Sequence, residues 1–368
     1  MKNLPLLAVL VVTSCLPSEK ATSVEALQMR IDSLFNSEIQ SDGPGAALLI
    51  SYDNKPIISK GYGLKDLETR EPISSGTNMR MASVSKQFTA LAVLNLVDKG
   101  LLSIDDPVSE YLPYPVFEEI TIEHLLNHTS GIADYEEAFM NEWDTTQIAQ
   151  NKDVLDWYAM NPSTNFSPGE KWEYSNGAYN LLATIVEKVS GEDFSKYAQD
   201  MVFKKAGMTT TNFFNLAKPI DIKERASCYE KDDSGEWKKV DGNFLNGCIG
   251  EGAVYTNLID FLAYDSALRE KSLVSASTHN LIFNPSSMAI EIDFPFVFSE
   301  GSEVYYGMGQ FVTHDYAFHG GGWYGTRTFV YREFERPLTI AIFMNSDRDF
   351  VQLMNSTYEI ANEFFESI

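Results

Sequence analysis

Met81-Ala82-Ser83-Val84-Ser85-Lys86-Gln87-Phe88 opens a strongly apolar stretch. Phe88, Leu91, Val93, Leu94, Leu96 and Val97 follow, and then Gly100, a residue suited to a helix C-terminus. The spacing predicts a helix from this segment to Gly100, with Ser83 and Lys86 one turn apart on one face. A serine hydroxyl is a weak nucleophile at its own pKa and needs an adjacent base. A lysine amine serves only where burial or nearby positive charge keeps part of it neutral. Apolar residues nearly all round this helix predict such burial. Its start also leaves backbone amides free to donate to an oxyanion. Ser-x-x-Lys arises by chance in a chain of this length, and an N-cap serine followed by a solvated lysine has the same spacing. Ser83 is nonetheless the only serine in the chain with lysine three residues on.

Two elements further along supply context. Pro168-Gly169-Glu170-Lys171-Trp172-Glu173-Tyr174-Ser175-Asn176 reads as a loop leading into a second apolar helix, ended by Gly191. Tyr-x-Asn recurs at Tyr52-Asp53-Asn54, in a hairpin turn, and at Tyr255-Thr256-Asn257, just before another helix. The latter is the competing tyrosine. Phe318-His319-Gly320-Gly321-Gly322-Trp323 places three glycines at a strand, where they allow another backbone or a substrate to approach closely. His319 beside them is a candidate proton or hydrogen-bond partner.

Around these segments, Ala46–Ile50 and Ile57–Ser59 flank Asp53-Asn54-Lys55 as a strand, turn and strand. Helical patterns dominate to about Tyr264. Strand patterns return at Val304–Val312, Thr326–Tyr331 and Leu338–Met344, and Val351–Phe365 closes the chain as a helix. Strands at both ends with helices between them predict an α/β (α+β) fold: one antiparallel sheet built from both termini, flanked by helices, with a helical insertion over about residues 87–265. Residues 24–368 read as a single domain.

The first residues have a different character. Met1 and Lys2 precede an apolar run, Leu4–Val12, too short to span a bilayer as a helix but of signal-peptide length. Val12-Thr13-Ser14-Cys15 resembles a bacterial lipobox. The expectation is a signal peptide over 1–14, lipidation at Cys15 with a polar tether over 15–23, and an exported, membrane-anchored lipoprotein facing the periplasm or cell surface. Cys228 and Cys248 lie outside any metal-site spacing, and their pairing stays open. His124 and His128 are spaced i, i+4 but lack an intervening glutamate and a third ligand, so no metal is expected. The formal net charge is −24 with a pI near 4.5, a field that repels phosphate backbones, so nucleic acid is an unsuitable partner.

Ser83-x-x-Lys86, Tyr174-x-Asn176 and His319-Gly320-Gly321, in this order, resemble the three motifs of class C β-lactamases and their penicillin-binding, D-amino-acid peptidase and esterase relatives. Pro44-Gly45-Ala46-Ala47, Lys60-Gly61-Tyr62-Gly63 and Leu125-Leu126-Asn127-His128-Thr129-Ser130-Gly131 are also phrases of that family. The resemblance covers Gly43 to the C-terminus. It implies a β-lactamase/transpeptidase-like fold and a serine hydrolase that needs no cofactor. Ser83 becomes the acylated nucleophile, Lys86 the group that helps remove its proton, and Tyr174 the proton relay to the leaving group. Asn176, His319, Gly320 and Gly321 would bind substrate, and the amides of Ser83 and Gly322 would form the oxyanion hole. The implied partner is a small-molecule or peptide substrate, a peptidoglycan stem peptide among the candidates. His319 stands where many members have lysine. A mostly neutral imidazole there predicts weaker attraction for a substrate carboxylate, and tilts the reading from β-lactamase toward peptidase or esterase. The alternative is a catalytically idle relative that binds cell-wall peptides or acts as a scaffold.

Overall fold

In a computed structural model, which describes residues 23–284, 288–290 and 294–367, the strands of both chain ends meet in one antiparallel sheet. From the N-terminal part come β1 (Ala46–Tyr52) and β2 (Lys55–Tyr62). Two short strands outside the main sheet matter to the site, β3 (Met79–Arg80) and, much later in sequence, β4 (Val254–Thr256). The C-terminal part supplies β5 (Tyr305–Tyr306), β6 (Phe311–Val312), β7 (Tyr316–Trp323), β8 (Thr326–Glu333) and β9 (Leu338–Met344). The main sheet runs β5-β6-β7-β8-β9-β1-β2, so the N-terminal hairpin joins the C-terminal meander through β1 and β9, with Ala46 opposite Met344 and Tyr52 opposite Leu338.

Side chains alternate across this sheet, and the register assigns each face its cover. Tyr62, Ala46 and Met344 are cross-strand partners on one face, where Phe35 of helix α1 (Val24–Glu38) stacks on Tyr62 at 4.6 Å. Tyr331 on the same face meets Tyr358 of the C-terminal helix Val351–Phe365 at 5.2 Å. The opposite face carries Phe343, Thr339 and Arg332. Phe261 of Leu258–Arg269 packs on Phe343 at 5.4 Å, and Asp265 of the same helix takes Arg332 Nε at 2.5 Å and Thr339 Oγ1 at 2.7 Å. Helix α2 (Lys86–Asp98) lies in the helical layer on that side, buried along nearly all of its length.

The sheet, its assembly from both ends and the flanking helices match the sequence expectation. Two stretches differ. Residues 204–257 of the expected helical region hold short strands, Asn212–Phe213, Tyr229–Lys231, Trp237–Lys239 and β4, and no α-helix. Val304–Val312 is not continuous but breaks into β5 and β6, because Gly307 and Gly309 fold it back: Gly309 has φ +83°, and a Cβ there would lie 2.7 Å from the Lys86 carbonyl oxygen. The turn therefore presses against the start of α2. The glycine run lies inside a strand, β7. Cys15 and the residues read as a leader and most of the tether lie outside the described residues. Among the described residues no helix is long and apolar enough to cross a membrane.

Candidate active site

The short strand β3 delivers Ser83. It pairs with β4, Met79 against Thr256 and Arg80 against Tyr255, and its end passes into a 3-10 turn, Ala82–Ser85, that feeds α2. Ala82 adopts φ +44°, a left-handed conformation that a residue with a Cβ takes only when its surroundings impose it. Those surroundings are on both sides. Met81 N donates to Val254 O at 2.8 Å, Thr328 Oγ1 donates to Met81 O at 2.8 Å, and Val254 N donates to Ser85 Oγ at 3.1 Å. The result keeps Ser83 partly exposed at a sharp bend while Lys86, one turn later, is fully buried.

Lys86 Nζ makes three contacts: Asn176 Oδ1 at 2.7 Å, the Glu251 carbonyl oxygen at 2.8 Å and Ser83 Oγ at 3.4 Å. The first two are short hydrogen bonds; the third is long. Asn176 reaches the lysine because Ser175 caps the helix Asn176–Ser190, with Ala178 N donating to Ser175 Oγ, and Asn176 N is itself held by Asp134 Oδ2 at 3.0 Å. Tyr174, just before the cap, stacks on His128 with ring centroids 4.3 Å apart, and Lys86 Nζ lies 4.8 Å from the tyrosine ring centre. Its hydroxyl, though buried, has no hydrogen-bond partner among the described residues. His128 is buried and accepts from Ser175 N through Nδ1 at 3.2 Å, which places its proton on Nε2. Burial, with Lys86 nearby, holds its imidazolium form well below the usual histidine range.

His319 does not stand in open space. It is 2% exposed, contacts Tyr306 OH through Nε2 at 3.0 Å and the Gly320 carbonyl through Nδ1, and packs among Tyr306, Phe311 and Tyr174. Burial first, and Lys86 second, push its pKa down to about 3, so the ring is neutral at any ordinary pH. Gly321 lies on the same face of β7, where its α-carbon backs onto the serine turn: a Cβ there would meet Met81 O at 2.7 Å and Ser83 N at 3.1 Å. β6 pairs with β7 only as far as Phe318, so among the described residues the edge from His319 to Trp323 has no strand partner on that side. Gly322 lines a cleft together with Ser83.

Arg80, Glu136, Asn176, Cys248, Glu251 and Trp323 also line that cleft. Three of these are functional candidates that the sequence reading missed. Glu251 is buried, with Oε1 accepting from Tyr135 OH at 2.5 Å and Oε2 unpartnered. Burial and the adjacent Glu136 push its carboxyl well above the ordinary range; burial and Asp134 raise Glu136 to about 7. Arg80 is 7% exposed and its guanidinium lies 5.3 Å from the Trp323 ring centre. Signals existed: an arginine between two methionines in Met79-Arg80-Met81, and a glutamate between two glycines in Gly250-Glu251-Gly252. Neither indicates chemistry without the fold.

The competing tyrosine, Tyr255, is fully buried on β4, accepts from Arg225 Nη2 at 3.1 Å, and has its phenol pushed up to about 12 by burial. Asn257 caps the helix after it. His124 Nδ1 accepts from Thr121 N in a helix cap. Cys228 and Cys248 are both buried and free.

With this geometry in hand, the chain can be set beside known proteins. A family model described as Beta-lactamase matches residues 31–361. Penicillin-binding protein 4* of Bacillus subtilis is 32% identical over 303 residues, 78% of this chain and 65% of that protein. Protein flp of Staphylococcus aureus is 33% identical over 193 residues, half of this chain and 38% of that protein. The chain thus spans less than two thirds of the length of either relative. Among solved structures, the octameric penicillin-binding protein homologue from Pyrococcus abyssi superposes with a TM-score of 0.78 at 26% identity, covering 92% of this chain and 77% of that one.

Proposed function

Since the chain belongs to the beta-lactamase family, in the group that includes serine β-lactamases and penicillin-binding proteins, we propose that it is an exported serine acyl hydrolase. Ser83 attacks the carbonyl of an amide, lactam or ester, with D-alanine-type peptides and esters as preferred substrates, and carries the acyl group until water releases it. The family supports hydrolase activity in general; the nucleophile, the acyl-enzyme and the substrate are our reading.

The contact set of Lys86 carries it. Asn176 Oδ1 and the Glu251 carbonyl are both acceptors at hydrogen-bond distance and take two hydrogens of the amine, which turns the remaining position on the nitrogen toward Ser83 Oγ, 3.4 Å away. Through that position Lys86 helps remove the serine proton as Ser83 attacks. Tyr174, its hydroxyl uncommitted beside Lys86, takes the proton onward to the leaving group and later helps activate water. Asn176 holds the amide or ester side of the substrate. The amides of Ser83 and Gly322 receive the oxyanion: the bend at Ala82 exposes the first, and the edge of β7 beyond Phe318 the second. Gly320 and Gly321 give the backbone approach, and His319 holds that edge in place from behind through Tyr306. Export and lipid attachment at Cys15 are part of the same proposal and rest on the leader pattern.

Turnover of a D-Ala-D-Ala peptide, a cephalosporin and a short-chain ester tests it. We expect hydrolysis of at least one, lowered about 10³-fold or more in Ser83→Ala. Silence toward all three, or activity that survives the substitution, contradicts the reading.

A further inference from the structure

Burying a charge requires a partner for it. Arg332 is buried and bound by Asp265, and the part-buried Arg225 by Tyr255 and Asp241. Arg80 is the exception. It is 7% exposed, yet among the described residues no carboxylate lies within ion-pair distance of it and its side chain makes no hydrogen bond; Nε is buried without an acceptor. Its guanidinium lies over the Trp323 ring, and the space it lines is the Ser83 cleft, in which it is the sole lysine or arginine among the lining residues.

The charged and titratable groups around it do not neutralise it. On the cleft side stand Glu136, Glu251 and Cys248, and behind it Tyr255 and Cys228. Burial raises every one of the five toward its neutral form, Glu136 to about 7 even with Arg80 favouring its ionisation. Lys86 is committed to Asn176 and Glu251, and His319 is neutral and enclosed. A cleft with one uncompensated cation, three residues before the nucleophile, complements an anion.

We propose that Arg80 is a specificity-determining residue that binds a carboxylate of the substrate, so that the preferred substrates carry an anionic group close to the bond that Ser83 attacks. The sequence reading expected weak carboxylate attraction because it looked to His319; the cation is on β3 instead. As a statement about substrate this rests on the acyl-hydrolase reading, but the binding of a carboxylate beside Trp323 does not.

3-Acetoxybenzoate and its neutral methyl ester, in which the carboxylate cannot reach the acetyl carbonyl, form a matched pair for turnover, and benzoate and benzamide a matched pair for calorimetric binding to Ser83→Ala. We expect the wild type to favour the charged ester about 10-fold or more, chiefly through KM, the factor that one charge-assisted contact supplies. The charged-to-neutral ratio should fall to about 1 in Arg80→Gln and recover in part in Arg80→Lys. Preference should also fade as pH rises through about 7 and Glu136 ionises. If Arg80→Gln does not fold, the wild-type ratio, its pH profile and the Arg80→Lys protein decide. Equal handling of the two esters, a preference that survives loss of Arg80, or selection of an ammonium-bearing ester instead overturns the proposal. Fluorophosphonate labelling run alongside separates the two readings: Ser83 labelled without carboxylate preference removes only the role of Arg80, whereas benzoate binding by Ser83→Ala with no labelling of the wild type removes only the hydrolase.

Discussion

Replacing Gly321 by alanine tests how closely the sheet holds the serine turn. A Cβ at this position would lie 2.3 Å from Thr328 Oγ1, 2.7 Å from Met81 O and 3.1 Å from Ser83 N. The threonine hydroxyl can rotate away, but only by giving up its 2.8 Å bond to Met81 O. The other two contacts are backbone and must move by about half an ångström or more to reach ordinary packing. Overpacking costs about 1–3 kcal/mol and the lost hydrogen bond about 1, so Tm should drop by several degrees. The same shift separates Ser83 N from Gly322, and misplacement of about 1 Å at a reacting centre costs about 10²-fold in rate. Gly320 provides the contrast: a Cβ there meets nothing closer than Thr328 O at 3.9 Å, so Gly320→Ala should hold or slightly raise Tm. Thermal melts and ester turnover on both proteins make the comparison. A Gly321→Ala protein as stable and as active as the wild type would refute the geometry.

Tyr174→Phe should slow turnover about 10²-fold or more yet leave Tm unchanged, because the hydroxyl it removes makes no hydrogen bond, whereas Tyr255→Phe should melt earlier as Arg225 loses an acceptor. Parallel kinetics and melts on the two variants check this. In an NMR titration from pH 5 to 9 the His319 ring resonances should stay flat, since burial puts its pKa near 3 and the ring is neutral across the whole window. Asp265→Asn should cost about 3–5 kcal/mol in a urea melt, because it strands Arg332 and Arg269 at the seam between the Leu258–Arg269 helix and the sheet. Attraction from these two arginines holds the Asp265 carboxyl below its ordinary value, so this contribution is present above the unfolded pKa near 4 and fades as pH falls through the lower folded value.

Much of this architecture could be read from the residues. The β-branched and aromatic runs at Thr326–Tyr331 and Leu338–Met344, and the hairpin around Asp53-Asn54, mark strands by period and turn chemistry that are local to the chain. Ser83 and Lys86 meet because three residues of helix always bring side chains to one face. The burial of His319 was not readable in the same way. Its cover, Tyr306 and Phe311, comes from a strand that two glycines break in half, and the pattern of Val304–Val312 looks continuous without the Lys86 carbonyl that forces Gly309 to turn. Arg80, Glu136 and Glu251 come from three separate segments, and only the pairing of β3 with β4 brings the first near the last. A charged residue in an apolar stretch says that it is unusual, not what it faces.

Peptide mass mapping after exposure to a fluorophosphonate and to a fluorescent penicillin shows whether Ser83 forms a covalent acyl-enzyme. An adduct is expected with at least one probe, on the peptide bearing Ser83, absent from Ser83→Ala and slowed in Lys86→Met. No adduct with either probe, or an adduct on another residue while Ser83 stays unmodified, would contradict that role of Ser83.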